Sequence, residues 1–324
     1  MTPKIFYFAY DHNRPTGGQK QVYRHVDILR KHKITAFVVH ATKDFRLTWF
    51  PNNTRVIDQQ RFLKTIQPEK DFVVLPEDIS PQMHLFSDFQ TVIFNQNTYL
   101  GLLSLVGIPT CPITSINSKA ILCVSNHNKE LLEYLYPTLP CHLITNGIDT
   151  SKFPLPVQKK KQIAFSGTKN RHSIELLQAA LHTRAQKGYN RLAGWNWVPI
   201  QNMSQEEVAS TLQESAIFLQ LHIQEGLGLL PMEAIHCGAL VVAFRGGPLH
   251  EFLDEESSFF ADFDDLLTLC KQVEKATCLF EDDFLSFQQK NQDALKRIRT
   301  YSLEQEEKSI VDAWNSIFEA KNLD

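Results

Sequence analysis

The chain has 324 residues, 43% of them hydrophobic and 21% charged, which suits two soluble globular domains of ordinary size. Its 33 Lys and Arg against 36 Asp and Glu leave a net charge of −3, with no block of like charge. That balance excludes a dedicated nucleic-acid binder, which would carry a basic face. The six cysteines, Cys111, Cys123, Cys141, Cys237, Cys270 and Cys278, show no paired spacing, so neither a zinc site nor a disulfide framework is expected. The N-terminal apolar run is too short for a signal peptide, and no stretch reaches the 18 to 20 apolar residues that span a bilayer. The expectation is a cytoplasmic protein with reduced thiols, and a peripheral contact with the inner membrane face stays open.

Short β-rich runs alternate with amphipathic helical ones, the pattern of a parallel sheet covered by helices. KIFYFAY (4–10) reads as a first strand, followed by a polar turn with Gly17 and Gly18 and a helix bearing Val22, Val26 and Leu29. AFVVHA (36–41), DFVVLP (71–76), TVIFN (91–95) and AILCVS (120–125) read as further buried strands. A helix with Leu131, Leu132 and Leu135 then stops before Pro137, and CHLIT (141–145) follows as a strand.

Turn residues, two prolines and a lysine run in 146–162 break the rhythm. The domain boundary is placed there, with one domain over 1–150 and a second over 151–301. The second series opens with QIAFSG (162–167), a helix near 173–187, and a helix started by Ser204 with Glu207 in capping-box position. AIFLQLH (216–222) and LVVAF (240–244) are its clearest strands. The last helix, 302–324, starts at Ser302 with Gln305 in capping-box position. It repeats apolar residues at Leu303, Ile310, Trp314 and Ile317 and is expected to pack back on the first domain.

The most informative stretch is LQLHIQEGLGLLPMEAIHCGALVVAFRGG (219–247), a strand, a glycine-bearing loop, a helix and another strand. Pro231 suits a first helical turn and Gly238 a helix stop. The loop Glu225, Gly226, Leu227, Gly228, Leu229, Leu230 therefore presents backbone N–H groups at a helix N-terminus, a ready site for phosphate. Two carboxylates, Glu225 and Glu233, frame it. Carboxylates beside a phosphate site suit sugar and ribose hydroxyls, from which they accept strong hydrogen bonds.

Glu225 and Glu233 stand eight positions apart within EGLGLLPMEA, and this string resembles the E-x(7)-E signature of family 4 of the retaining glycosyltransferases. Other motifs fall in the order of that family. Asn146-Gly147-Ile148-Asp149 followed by Phe153-Pro154 is similar to its N-G-V-D-x-x-x-F-x-P join between domains. Ser125 resembles its strand-to-helix serine, Thr16-Gly17-Gly18 its glycine turn, and His222 stands where it often has Ser or His. The resemblance covers most of the chain. It implies a GT-B fold, with two Rossmann-like domains facing each other across a cleft and a terminal helix crossing back. It also implies that Glu225 contacts the transferred sugar, that Glu233 holds the ribose, and that the configuration at the transferred carbon is retained.

Two departures carry weight. The family follows one strand with G-R and then a Lys to neutralise the diphosphate, whereas here Gly167 precedes Thr168, with Lys169, Arg171 and His172 beyond. Arg171 is the first choice for the diphosphate, because a guanidinium binds phosphate bidentately, and Lys169 the second. In the first domain many relatives carry a His near the reacting sugar, where this chain has Asn95, Gln96 and Asn97. Asn95 and Asn97 either hold acceptor or sugar hydroxyls or cap the next helix, and His12, Arg14 and His127 are candidates by loop position. Arg245-Gly246-Gly247, ahead of Glu251, serves either the donor or a structural turn.

The resulting expectation is a metal-independent transferase with no cofactor, passing a sugar from a nucleotide-diphosphate-sugar to a glycan or lipid-linked acceptor in surface polysaccharide synthesis. The alternative is a degenerate GT-B module that only binds glycan or nucleotide. An epimerase or a phosphorylase is a further rival within enzymes. Base, sugar, acceptor and oligomeric state are not written in these residues.

Overall fold

The computed structural model describes residues 2–108, 112–155 and 158–321, so Cys111 lies outside the described residues. The chain divides into two compact units, one made of Met1–Gly147 and Ser302–Asp324, the other of Ile148–Tyr301.

The first unit is built on seven strands, β1 (Ile5–Phe8), β2 (Ala36–His40), β3 (Val56–Asp58), β4 (Phe72–Pro76), β5 (Gln90–Asn95), β6 (Ser118–Cys123) and β7 (Cys141–Leu143). All pair in parallel, in the order β3-β2-β1-β4-β5-β6-β7. The inner strands are near-continuous apolar runs, as strands buried on both faces must be. Between them lie α1 (Gly17–Lys31), α2 (Gln59–Thr65), α3 (Thr98–Ser104), α4 (Pro112–Ser115) and α5 (Asn126–Leu135). Gly17 and Gly18 are the first residues of α1 rather than a separate turn, and Thr16, at its N-cap, makes no side-chain cap bond. Ser125 caps α5 by accepting the Asn128 N–H at 3.2 Å. Chain order reverses direction across the sheet between β1 and β4. Ligands of such sheets bind outside the C-terminal strand ends at that place.

The second unit runs β8 (Lys160–Ser166), α6 (Arg171–Gln186), β9 (Asn196–Ile200), α7 (Gln205–Glu214), β10 (Ser215–Gln220), α8 (Leu229–His236), β11 (Leu240–Phe244), β12 (Phe259–Ala261), α9 (Leu266–Asp282) and α10 (Phe284–Arg297). Its parallel sheet has the order β12-β11-β10-β8-β9, with the reversal between β8 and β10. The α7 capping box forms in both directions between Ser204 and Glu207. Three strands that the sequence reading omitted, β3, β9 and β12, are all sheet edges.

The final helix, α11 (Leu303–Lys321), belongs to the first unit. Ile310 and Trp314 are fully buried, whereas Leu303 stays exposed. Trp314 Nε1 donates to the Tyr7 hydroxyl at 2.9 Å, and its ring meets Phe72 edge-on. Glu306, fully buried, pairs with Arg24, whose other terminal nitrogen donates to the Gly147 carbonyl at 3.2 Å. Gln305 contributes only one arm of its expected box, its N–H bonding Ser302 Oγ at 3.1 Å. Among the described residues no helix is long and apolar enough to cross a membrane.

Candidate active site

In the second unit the apolar strand β10 ends at Gln220, and residues 221–228 leave the sheet edge without regular structure before α8 begins. Gly228 is the N-cap, in the left-handed region at φ 92°. A residue bearing a Cβ would lose about 1–2 kcal/mol there, because the Cβ crowds the following carbonyl oxygen. Pro231 is the third helical residue, where its missing N–H is no loss. Glu233 is the fifth and opens the second turn. The loop after β11 presses on this segment. A Cβ on Gly247 would stand 2.2 Å from the Ile223 carbonyl oxygen, so only glycine permits the approach.

The loop after β8 meets the loop after β10 across the reversal point. Asn170, left-handed at φ 45°, stands at the N-cap position of α6 without a side-chain cap bond and sends its Nδ2 to the Leu221 carbonyl at 2.6 Å. One residue earlier, Lys169 Nζ donates to both carboxylate oxygens of Glu225, at 2.6 and 2.7 Å. Glu225 is 9% exposed, while the Lys169 side chain keeps 42% of its surface in solvent. Half-buried His222 lies in the same field. Burial lowers its pKa, the Glu225 charge opposes that, and Lys169 adds to the lowering, so the imidazole is neutral at neutral pH. The N-terminus of α8, the Lys169 cation, the Glu225 carboxylate and a neutral His222 imidazole thus lie together at the C-terminal end of the second sheet, where parallel sheets of this kind place their ligands.

The other expected site residues are distributed as follows. Arg171, the first choice for the diphosphate, points along the exposed face of α6 and pairs with Glu175 at 2.8 Å; Lys169 is the cation that reaches Glu225. Gly167 bonds the Ile200 carbonyl, and Thr168 is exposed. Gly226 and Leu227 are buried, and Leu229, Leu230 and Glu233 half-buried. Arg245 pairs with Glu255 and, at 3.1 Å, with Asp262, so its charge is engaged along the β12 side of the sheet. Among the described residues no group of three or more His, Cys, Asp or Glu side chains is placed to hold a metal ion.

In the first unit, Asn95 is buried and accepts the Thr98 hydroxyl at 3.0 Å. Asn97 caps α3, its Oδ1 accepting the Tyr99 and Leu100 N–H groups. Asn97 thus caps the helix, whereas Asn95 bonds a side-chain hydroxyl in its first turn. His127 Nε2 bonds the Tyr99 hydroxyl at 2.9 Å, and Arg14 is exposed. The sequence reading passed over Glu77, the residue that follows β4. It is 5% exposed and accepts the Asn97 N–H at 2.8 Å. Burial pushes its carboxyl up to about 7; the backbone N–H groups of Glu77, Gln96 and Asn97 hold it down, and the Asp78 charge adds to the rise. Its signal in the sequence was a carboxylate directly after an apolar strand next to the first one.

No protein-family model matches the chain. It is 27% identical over 252 residues to an alpha-1,6-glucosyltransferase of Actinobacillus pleuropneumoniae, covering 74% of this chain and 72% of that protein. Among solved structures it is similar to the Anabaena protein HepE in complex with UDP and glucose, with a TM-score of 0.69, 12% identity and coverage of 97% and 100%. It is likewise similar to sucrose-phosphate synthase from Thermosynechococcus elongatus, with a TM-score of 0.67, 12% identity and coverage of 98% and 100%. The fold is that of the GT-B glycosyltransferases, two Rossmann-like parallel-sheet domains. The similarity to a glucosyltransferase supports glycosyltransferase chemistry in this chain.

Proposed function

We propose, from the fold and from the meeting of Lys169 with Glu225 in front of α8, that this chain is a retaining, metal-independent glycosyltransferase. It takes a sugar from a nucleotide-diphosphate-sugar, with UDP-glucose the first donor to test, because the similar Anabaena structure holds UDP and glucose. The acceptor is a glycan or a lipid-linked sugar, and surface polysaccharide assembly is the setting that the family resemblance suggests.

The ion pair carries this reading. Lys169 neutralises Glu225. A nucleotide-sugar offers each a better partner, the diphosphate for Lys169 and sugar hydroxyls for Glu225. The N-terminus of α8 adds its partial positive charge on the phosphate side, and Glu233 takes the ribose. Fixed dipoles and a cation aimed at the leaving diphosphate stabilise the charge that grows there, usually the largest catalytic contribution. In the transfer, the bond from the anomeric carbon to the diphosphate oxygen breaks and one to the acceptor oxygen forms on the same face. The acceptor's proton passes to the departing phosphate.

The test is a thermal-shift screen against nucleoside diphosphates and nucleotide-sugars, with and without EDTA. A shift with one nucleotide class, unchanged by EDTA and lost in Glu233→Ala, supports the donor site and names the base. A shift abolished by EDTA removes metal independence. No shift with any nucleotide moves the reading to the degenerate binding module.

A further inference from the structure

The loop that carries Lys169 is short. β8 ends at Ser166 and α6 begins at Arg171, so four residues, 167 to 170, make the whole connection. Each end of it is tied to a neighbouring strand of the sheet. At the front, the Gly167 N–H donates to the carbonyl of Ile200, the last residue of β9, at 3.1 Å. At the back, Asn170 Nδ2 donates to the carbonyl of Leu221, the residue after β10, at 2.6 Å. β9 and β10 are the two strands that flank β8. Lys169 therefore stands on a span anchored on both sides, directly beside its second anchor.

That anchor is a side chain, and it uses both of its polar atoms. Asn170 Oδ1 accepts the Ser173 hydroxyl at 2.9 Å while Nδ2 goes to Leu221. An amide can do both at once; a carboxylate of the same shape only accepts. The backbone there, at φ 45° and ψ 45°, lies in the left-handed region, which Asn enters more readily than most residues other than glycine. The segment that Asn170 grips is fixed at its next two residues as well. Gln220 Nε2 donates to the His222 carbonyl at 2.7 Å, and Gly247 lies close against the carbonyl oxygen of Ile223. The carbonyls of residues 221, 222 and 223 are thus each engaged, and Glu225 follows two residues later.

We propose that Asn170 is a positioning residue for the donor site. Its tie to Leu221 holds the stem of Lys169 where the ammonium meets both carboxylate oxygens of Glu225. Only the stem is fixed, so the ammonium can still turn to a phosphate. Asn170 itself touches no substrate and acts through Lys169. Its part in turnover rests on the glycosyltransferase reading; its hold on Lys169 does not.

The experiment compares the full wild-type chain with Asn170→Gly and Asn170→Asp, each checked for folding by circular dichroism. Glycine keeps the left-handed backbone and loses both side-chain bonds; aspartate keeps the acceptor for Ser173 and cannot donate to Leu221. The first readout needs no nucleotide. It is the rate at which sulfo-NHS-acetate acetylates Lys169 at neutral pH, read by peptide mass spectrometry against the exposed Lys275. Asn170→Gly should raise that rate about three-fold, the scale of losing a partly solvated ion pair. The second readout is kcat/KM for UDP release from UDP-glucose. It should fall about ten-fold in both variants, the effect of a misplaced group. Because Asn170 acts through Lys169, adding Asn170→Gly to Lys169→Ala should lower it no further. A role confined to starting α6 predicts instead that Asn170→Asp turns over like wild type, and that result overturns the proposal. So does a Lys169 acetylation rate not raised in Asn170→Gly, or a loss in Asn170→Gly that persists undiminished in the Lys169→Ala background. If wild type releases no nucleotide from any nucleotide-sugar, the glycosyltransferase reading falls, and acetylation alone decides this one.

Discussion

Lys169 and Glu225 neutralise each other across the two loops that leave β8 and β10, with both carboxylate oxygens within 2.7 Å of the ammonium nitrogen. The pair is lopsided, since Glu225 is nearly buried and Lys169 is two-fifths exposed. Lys169 can therefore swing towards an incoming anion while Glu225 stays in place.

Glu225→Gln is expected to lower turnover about 10²-fold or more, the scale of losing one transition-state contact. Because the pair is partly solvated, folding stability should change by only about 1 kcal/mol. Steady-state rates with UDP-glucose and a urea titration read the two effects. Turnover near wild type would remove Glu225 from the reaction.

Gly247→Ala should destabilise the second unit by about 3 kcal/mol, because its Cβ would stand 2.2 Å from the Ile223 carbonyl oxygen and its φ is 59°. Gly188→Ala has a similar φ of 70° with nothing within 4 Å of its Cβ, and should cost only about 1 kcal/mol. Equal losses in the two variants would mean that the contact between the β10 and β11 loops is not close.

Glu77 makes stability depend on pH in a stated direction. Between its ordinary value of 4.5 and its folded value of about 7, the folded chain holds a proton that the unfolded chain releases. Its stabilising contribution is complete below 4.5 and is lost as pH rises through 7. The full window corresponds to roughly 3 kcal/mol. Glu77→Gln, which has no proton to lose, should therefore gain stability on wild type between pH 5 and pH 8. Urea midpoints at both pH values test this, and parallel pH responses would refute it.

The pattern of what could be read from the sequence has a physical basis. Inner parallel strands such as AFVVH and LVVAF are buried on both faces, and so announce themselves as apolar runs. The edge strands do not. β3 and β12 have three residues each, and β9 contains Pro199 and is largely solvated. In the site, the spacing of Glu225 and Glu233 located the loop. Which cation meets Glu225 depends on the left-handed turn at Asn170, which sends Arg171 along the outside of α6 while Lys169 faces inward. Glu77 was hidden for a related reason, because a carboxylate after a strand reads as solvated until the fold covers it.

Glu306→Ala should cost about 3 kcal/mol, since it strands the Arg24 guanidinium against a buried partner position. Replacing both residues with apolar ones of similar volume should recover much of that loss. Chemical denaturation of the single and double variants measures the difference. A double variant no better than the single would assign the cost to packing and not to charge.

The first unit closes its core with residues made after the second unit. Tyr7 and Phe72 wait for Trp314, which leaves the ribosome only after the whole of the second unit. At cellular rates of synthesis that delay is on the order of 10–30 s. Throughout it the early half of the chain exposes an apolar surface, while the later half can already fold. Order of manufacture and order of completion are thus reversed, and the nascent first half is the stage at which a chaperone has most to shield.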